Sequence, residues 1–120
     1  MDEKVLKWLY DIKMTIDEID GYFEGQNRDF FEYQKNTMLK RATERNLEII
    51  GEAINRILKK DKSFEKYISN AKAIIGLRNQ VIHAYDNISD ESIWSILTSH
   101  LPKLKADIDH LIKQEKNKLT

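Results

Sequence analysis

Cysteine is absent from this 120-residue sequence, and proline occurs once. Without cysteine there is no disulfide scaffold, no thiolate zinc site and no cysteine nucleophile. The expected location of such a chain is the reducing cytoplasm. One proline and four glycines give little to break the chain, and the turn chemistry that a many-stranded sandwich demands is missing. Long apolar runs are missing too. No stretch approaches the roughly 18 residues of a membrane span, and the opening MDEKVLKWLYDIK does not read as a signal peptide. Neither sign of charge dominates, because 20 Lys and Arg balance 20 Asp and Glu. Contact with nucleic acid therefore has to come from a local patch rather than from a global field.

What is present is helical periodicity. Val5, Leu6, Trp8, Leu9, Ile12, Ile16, Ile19 and Phe23 recur at steps of three and four, one face of an amphipathic helix over about 3–22. Gly21 and Gly25 stand where that helix should end. Residues 26–36 are aromatic and irregular, with Phe30, Phe31 and Tyr33 expected to fold back onto the bundle. A second helix is expected over 37–60, and a link over 61–69 holding a helical turn capped by Ser63 or Ser69. A third helix covers 70–85. After a turn at 86–89, Ser89, Asp90 and Glu91 open a fourth helix carrying Ile93, Trp94, Leu97, Leu101, Leu104, Ile108 and Leu111. Pro102 lies inside it and predicts a kink or short break. The expected fold is all-α, an antiparallel up-down four-helix bundle, as a single domain over 1–120.

Two of these helices carry polar residues where apolar ones belong. In the second, Met38, Ala42, Ile49, Ile50, Ala53 and Ile57 suggest a stripe with Asn46 inside it, Arg45 and Glu52 at its edge, and Arg41 and Glu48 beyond. A buried Asn is costly unless its polar atoms are paired. It either fixes helix register or lines a site. Gly51, on the side away from that stripe, would let another backbone approach. In the third helix, Ala71, Ile74, Ile75, Val81 and Ile82 define the apolar face. Arg78 falls near its centre, Tyr85 falls two turns further along the same line, and Asn79 and His83 share the adjacent strip. A buried guanidinium needs an anion, and Glu48 or Glu52 is the expected partner. A structural ion pair with a bystander histidine would account for these residues one at a time. Finding Arg, Asn, His and Tyr together on one helix favours a site.

Three blocks, RNLEIIGEAINRI (45–57), GLRNQVIHAYDNI (76–88) and IWSILTSHLPKLKADI (93–108), resemble in the same order the HepT-like branch of the HEPN superfamily. The motif Arg78-Asn79-x-x-x-His83-x-Tyr85 is the part that separates this pattern from any other helical bundle. The resemblance implies a helical-bundle homodimer in which two R-x-x-x-x-H motifs meet across a cleft and form a metal-independent endoribonuclease site. No cofactor is expected. It also implies a toxin of a two-gene module, whose partner, an MntA-like minimal nucleotidyltransferase, neutralises it by transferring AMP to the tyrosine of His-x-Tyr, here Tyr85. Some HEPN relatives cleave nothing and only bind nucleotide or partner, so a non-catalytic binding subunit of a nucleotidyltransferase is the alternative reading.

The chemistry is consistent with these residue types. RNA supplies its own nucleophile, the 2′-OH. His83, with an unperturbed pKa of about 6.5, suits proton transfer near neutrality. Arg78 suits the phosphate oxygens, and Asn79 can orient either by hydrogen bonding. Five residues separate Arg78 from His83, about 140° around a helix. One copy thus presents them awkwardly to a single phosphate, and a two-fold partner would complete the set.

Overall fold

A computed structural model describes residues 1–25, 28–83 and 89–118, and of residues 78 and 80–83 the backbone alone. Among them there is no strand. Helix α1 spans Glu3–Tyr22, α2 Phe30–Lys35, α3 Thr37–Lys60, α4 Ala71–His83, α5 Asp90–Ser95 and α6 Leu101–Lys118. A 3₁₀ turn, Lys62–Lys66, lies in the link after α3. None of these helices is long and apolar enough to cross a membrane.

Local chemistry explains the boundaries. The Asp2 carboxylate accepts from the amides of Lys4 and Val5 and opens α1, satisfying donors that have no partner inside the helix. Chain reversal after α1 uses Gly25, whose φ of 73° is the left-handed region that glycine tolerates. The segment expected to be irregular contains α2, because Asp29 accepts from the amides of Phe31 and Glu32. Asn36 and Ser89 open α3 and α5 in the same way. In the link, Asp61 is the cap. Ser63 donates both its amide and its hydroxyl to Asp61 instead of capping a turn itself, and these bonds, the hydroxyl's first, hold the Asp61 carboxyl below its usual range.

The helical course is continuous from Asp90 to Lys118, with a widened π turn over Ile96–His100. That turn stands directly before Pro102, which has no amide hydrogen to donate, so the expected break takes the form of a bulge within a rod.

The core runs through Val5, Leu9, Ile12, Ile16 and Ile19 of α1, Leu47, Ile50, Ile54 and Ile57 of α3, and Leu104, Ile108 and Leu111 of α6. Each such side chain contributes roughly 1.5–3 kcal/mol on burial. The α3 stripe is rotated from its expected position. Met38 is 80% exposed, and the buried line includes Thr43, Leu47 and Ile54, which turn the face towards themselves. Asn46 consequently sits at the edge towards α1. Gly51 is buried at the opposite edge rather than on an outer face.

Phe30 and Tyr33 pack on Trp94, with ring centroids at 5.9 and 5.3 Å, and Phe23 joins them at 6.1 Å. These contacts fasten α2 and the end of α1 to α5. Phe31, expected to fold back with them, stays largely exposed.

Polar pairs set the axial register. Asp2 meets Lys60 at 3.7 Å, while Asn46 donates to Glu18 and to the Tyr22 hydroxyl, so α1 and α3 are antiparallel. Lys13 meets Asp109 and Lys105 meets Asp20, at 3.0 and 3.1 Å, so α1 and α6 are antiparallel as well.

Candidate active site

Helix α4 carries the motif. Ala71, Ile74 and Leu77 are buried on its inner side, whereas Lys72, Ala73, Gly76 and Asn79 are exposed. By the helical period, position 78 falls between the lines of Ala71 and Ile74, within the buried arc, and position 83 falls beyond Asn79 on the outer strip. The side chains of Arg78 and His83 and the whole of Tyr85 lie outside the described residues. Asn79 is therefore the one motif residue whose side chain can be placed, and it faces outward.

The supporting residues named on α3 divide differently. Asn46 is 5% exposed and its amide donates to Tyr22 Oη at 3.1 Å and to Glu18 Oε2 at 3.4 Å. It joins α1 to α3, which is the register-fixing role. Replacing it with alanine removes a buried donor whose two acceptors, Tyr22 and Glu18, are themselves exposed and open to water. The expected cost is about 0.5–1.5 kcal/mol, the net worth of a typical hydrogen bond, to be read as a lower urea midpoint at unchanged slope. An unchanged midpoint would show that water takes over both bonds.

Arg45 reaches Glu48 at 3.1 Å, and Arg56 Nε donates to Glu52 at 3.1 Å. All four line a groove of about 390 Å³ between α1 and α3, together with Trp8, Asp11, Met14 and Thr15. That groove lies on the α1 side of α3.

The other edge of α3 holds a carboxylate absent from the residues singled out in the sequence. The Glu44 side chain is only 14% exposed. Burial pushes its carboxyl up, Arg41 and Lys40 pull it down, and Asp90 adds to the rise. Lys40 bridges to Asp90 at 3.2 Å, which anchors the start of α5 beside the first turns of α3. The Tyr33 hydroxyl is buried nearby with no hydrogen-bond partner among the described residues. Burial first, then the charges of Glu44 and Asp90, push it well above its ordinary range. The sequence signal for Glu44 was its wheel position beside Leu47 and Gly51, legible only once the true stripe is known.

An all-helical fold with the sequence Arg78-Asn79-x-x-x-His83 on one internal helix has the pattern of the HEPN kind. A family model described as Ribonuclease HepT-like matches residues 12–111. The chain belongs to the HepT-like ribonuclease family. Similar proteins include one from Methanocaldococcus jannaschii, 30% identical over 111 residues, covering 92% of this chain and 89% of that protein. A second from the same organism is 34% identical over 107 residues, covering 88% and 94%. A third, from Caldanaerobacter subterraneus subsp. tengcongensis, is 33% identical over 89 residues, covering 72% and 77%. Each of the three is provisionally named an RNase. No solved structure matches the chain.

Proposed function

We propose that this protein is a metal-independent endoribonuclease and the toxin of a two-gene module. The observation that carries the reading is the motif itself, set on α4 with position 78 in the buried arc and Asn79 outward, in a chain of the HepT-like family. His83 takes the 2′-OH proton as the oxygen attacks phosphorus, and a proton goes to the departing 5′ oxygen. Arg78 stabilises the crowded phosphorane charge, and Asn79 orients the histidine or the phosphate. The products are a 2′,3′-cyclic phosphate and a 5′-OH.

The site is completed by a second copy. Positions 78 and 83 diverge by about 140° on one helix, so the arginine of one protomer and the histidine of the other serve the same phosphate. The antitoxin is a minimal nucleotidyltransferase of the MntA kind, which transfers AMP to Tyr85.

The chemistry is tested with an RNA oligonucleotide incubated in excess chelator. Cleavage leaving a cyclic phosphate is expected, and a single 2′-deoxy substitution at the cut position should abolish it. Cleavage of the deoxy-substituted oligonucleotide would sink the 2′-OH mechanism. Sedimentation at micromolar concentration is expected to give twice the 14.2 kDa chain mass. A stable monomer that still cuts RNA would overturn the composite site.

A further inference from the structure

The net charge is zero, yet the charge is not spread evenly. Segments 1–7, 56–72 and 113–118 hold eleven Lys and Arg and five Asp and Glu, whereas the other ninety residues hold nine and fifteen. The fold gathers these three segments at one end of the bundle. Lys60 Nζ stands 3.7 Å from Asp2. The start of α1, the end of α3, the link and the last turns of α6 share one cavity of about 580 Å³, through Val5, Lys60, Tyr67, Leu111 and Lys118. An adjoining hollow of about 410 Å³ is lined by Lys62, Glu65 and Lys66, and Ser63 borders both.

The carboxylates of this end are engaged locally. Asp2 caps α1 and faces Lys60, and Asp61 accepts from Ser63. Glu65 faces Lys72 at 3.4 Å, and buried Glu115 faces Lys118 at 3.8 Å. Lys59, Lys62, Lys66, Lys113 and Lys116 are exposed and make no ion pair among the described residues. A balanced chain therefore carries a local positive field of the kind that attracts phosphate.

An aromatic ring stands within that field. Tyr67 is 56% exposed. Its ring meets the buried Phe64 ring in a T-shaped contact with centroids 6.3 Å apart, and its amide donates to the Phe64 carbonyl at 2.9 Å. The ring is held at its foot while more than half of the residue is open. Single-stranded nucleic acid is bound by this combination, bases stacking on rings while the backbone tracks cations. Phe31 is more exposed, at 68%, but Asp29 and Glu32 flank it, and their charge repels phosphate.

We propose that this end of the bundle is a docking surface for single-stranded RNA, separate from the motif, on which Tyr67 stacks a base while Lys60, Lys62, Lys66 and Lys118 hold the flanking phosphates. Its use as a substrate anchor rests on the ribonuclease reading; the binding does not. The link leads directly into α4, and position 83 lies about 18 Å along that helix from Ala71. A stacked strand advances about 3.4 Å per nucleotide, so a strand of about six nucleotides or more can occupy the anchor and the motif together.

The test measures binding and cleavage by the full-length protein. The binding probe is an unstructured 2′-O-methyl RNA oligonucleotide, which has no hydroxyl to attack phosphorus. Tyr67→Ala should weaken binding by about fivefold to a hundredfold, the usual loss for a base–aromatic stack, while Tyr67→Phe, which keeps the ring, should stay within about twofold. Replacing Lys62 and Lys66 together with Gln should make the log–log salt dependence shallower by about 1.4, at about 0.7 per phosphate contact on a single strand. Phe31→Ala and Lys103→Gln, at exposed positions elsewhere, should bind as wild type does. The lysine pair is fully on the surface and decides the case should Tyr67→Ala lower the urea midpoint. A wild type that does not bind the probe, or binding indifferent to these replacements, overturns the proposal. Binding that falls with the lysines but not with the ring marks a bare cation surface and overturns the assignment to RNA.

In cleavage, Tyr67→Ala should raise KM about fivefold or more on a long strand with kcat within about twofold, the pattern of lost uniform binding. On a trinucleotide, too short to reach the anchor, neither constant should change. A fall in kcat at unchanged KM overturns the anchoring role. A wild type that binds the probe but cuts no RNA refutes the ribonuclease reading and leaves the docking surface standing.

Discussion

Replacing His83 with alanine is expected to lower RNA cleavage by roughly two to four orders of magnitude, the usual contribution of a general acid–base group. The loss should fall on kcat, because the imidazole acts on protons in flight and makes no ground-state contact that binding depends on. The wild-type pH profile should show an acid limb from the imidazole, and that limb should be missing from the residual activity of the variant. Stability should hardly change. Position 83 lies at the last turn of α4, on the strip beyond exposed Asn79 by the helical period. Expression of wild type should arrest growth and expression of His83→Ala should not. A His83→Ala protein that still arrests growth would show that toxicity does not come from this chemistry. Equal loss of activity and of thermal stability would return His83 to a structural role.

Much of the fold was legible because long helices advertise themselves. The periodic run of α1 and the span of α3 match what the spacing of apolar residues predicts, since each helix shows at least five turns of the same pattern. Helix α2 was not legible. Six residues hold fewer than two turns, too few to show a period, and its existence depends on Asp29 meeting two amides. The rotated α3 stripe has a related cause. Counting Met38 and Ile49 as core drew the face towards Asn46, whereas packing buries Leu47 and Ile54 and leaves Met38 in solvent. The height at which α4 meets its neighbours could not be read at all from one helix at a time. It depends on how far the 61–70 link carries the chain before α4 starts, and Ser69 on Asp107 fixes that distance. The motif itself needed no register, because its four residues lie on one short segment.

Tyr85→Phe is expected to give an all-or-none result. With a cognate nucleotidyltransferase and ATP, the wild-type chain should gain the mass of one AMP, and Tyr85→Phe should gain nothing. The tyrosine oxygen attacks the α-phosphorus of ATP, the bond to pyrophosphate breaks, and the phenolic proton leaves to solvent or a base. The product is a phosphodiester carrying one negative charge and a nucleoside, two residues along the chain from His83. That anion competes with substrate phosphate for the guanidinium, and the nucleoside occupies the space an RNA strand requires. Inhibition should therefore appear as lost cleavage in a protein whose unfolding midpoint is unchanged or raised. Coexpressed with the partner, wild type should permit growth and Tyr85→Phe should not. The same variant should cut RNA in vitro within about threefold of wild type, because the phenolic hydroxyl takes no part in the cleavage step. Labelling that survives Tyr85→Phe would move the acceptor to another of the chain's five tyrosines. Of the other four, Tyr33 is excluded in advance: its hydroxyl is buried, and its burial beside Glu44 and Asp90 disfavours the phenolate that would attack. Tyr67, more than half exposed, is the control to replace alongside it. A Tyr85→Phe toxin silenced by the partner without any mass change would mean that neutralisation works by binding alone.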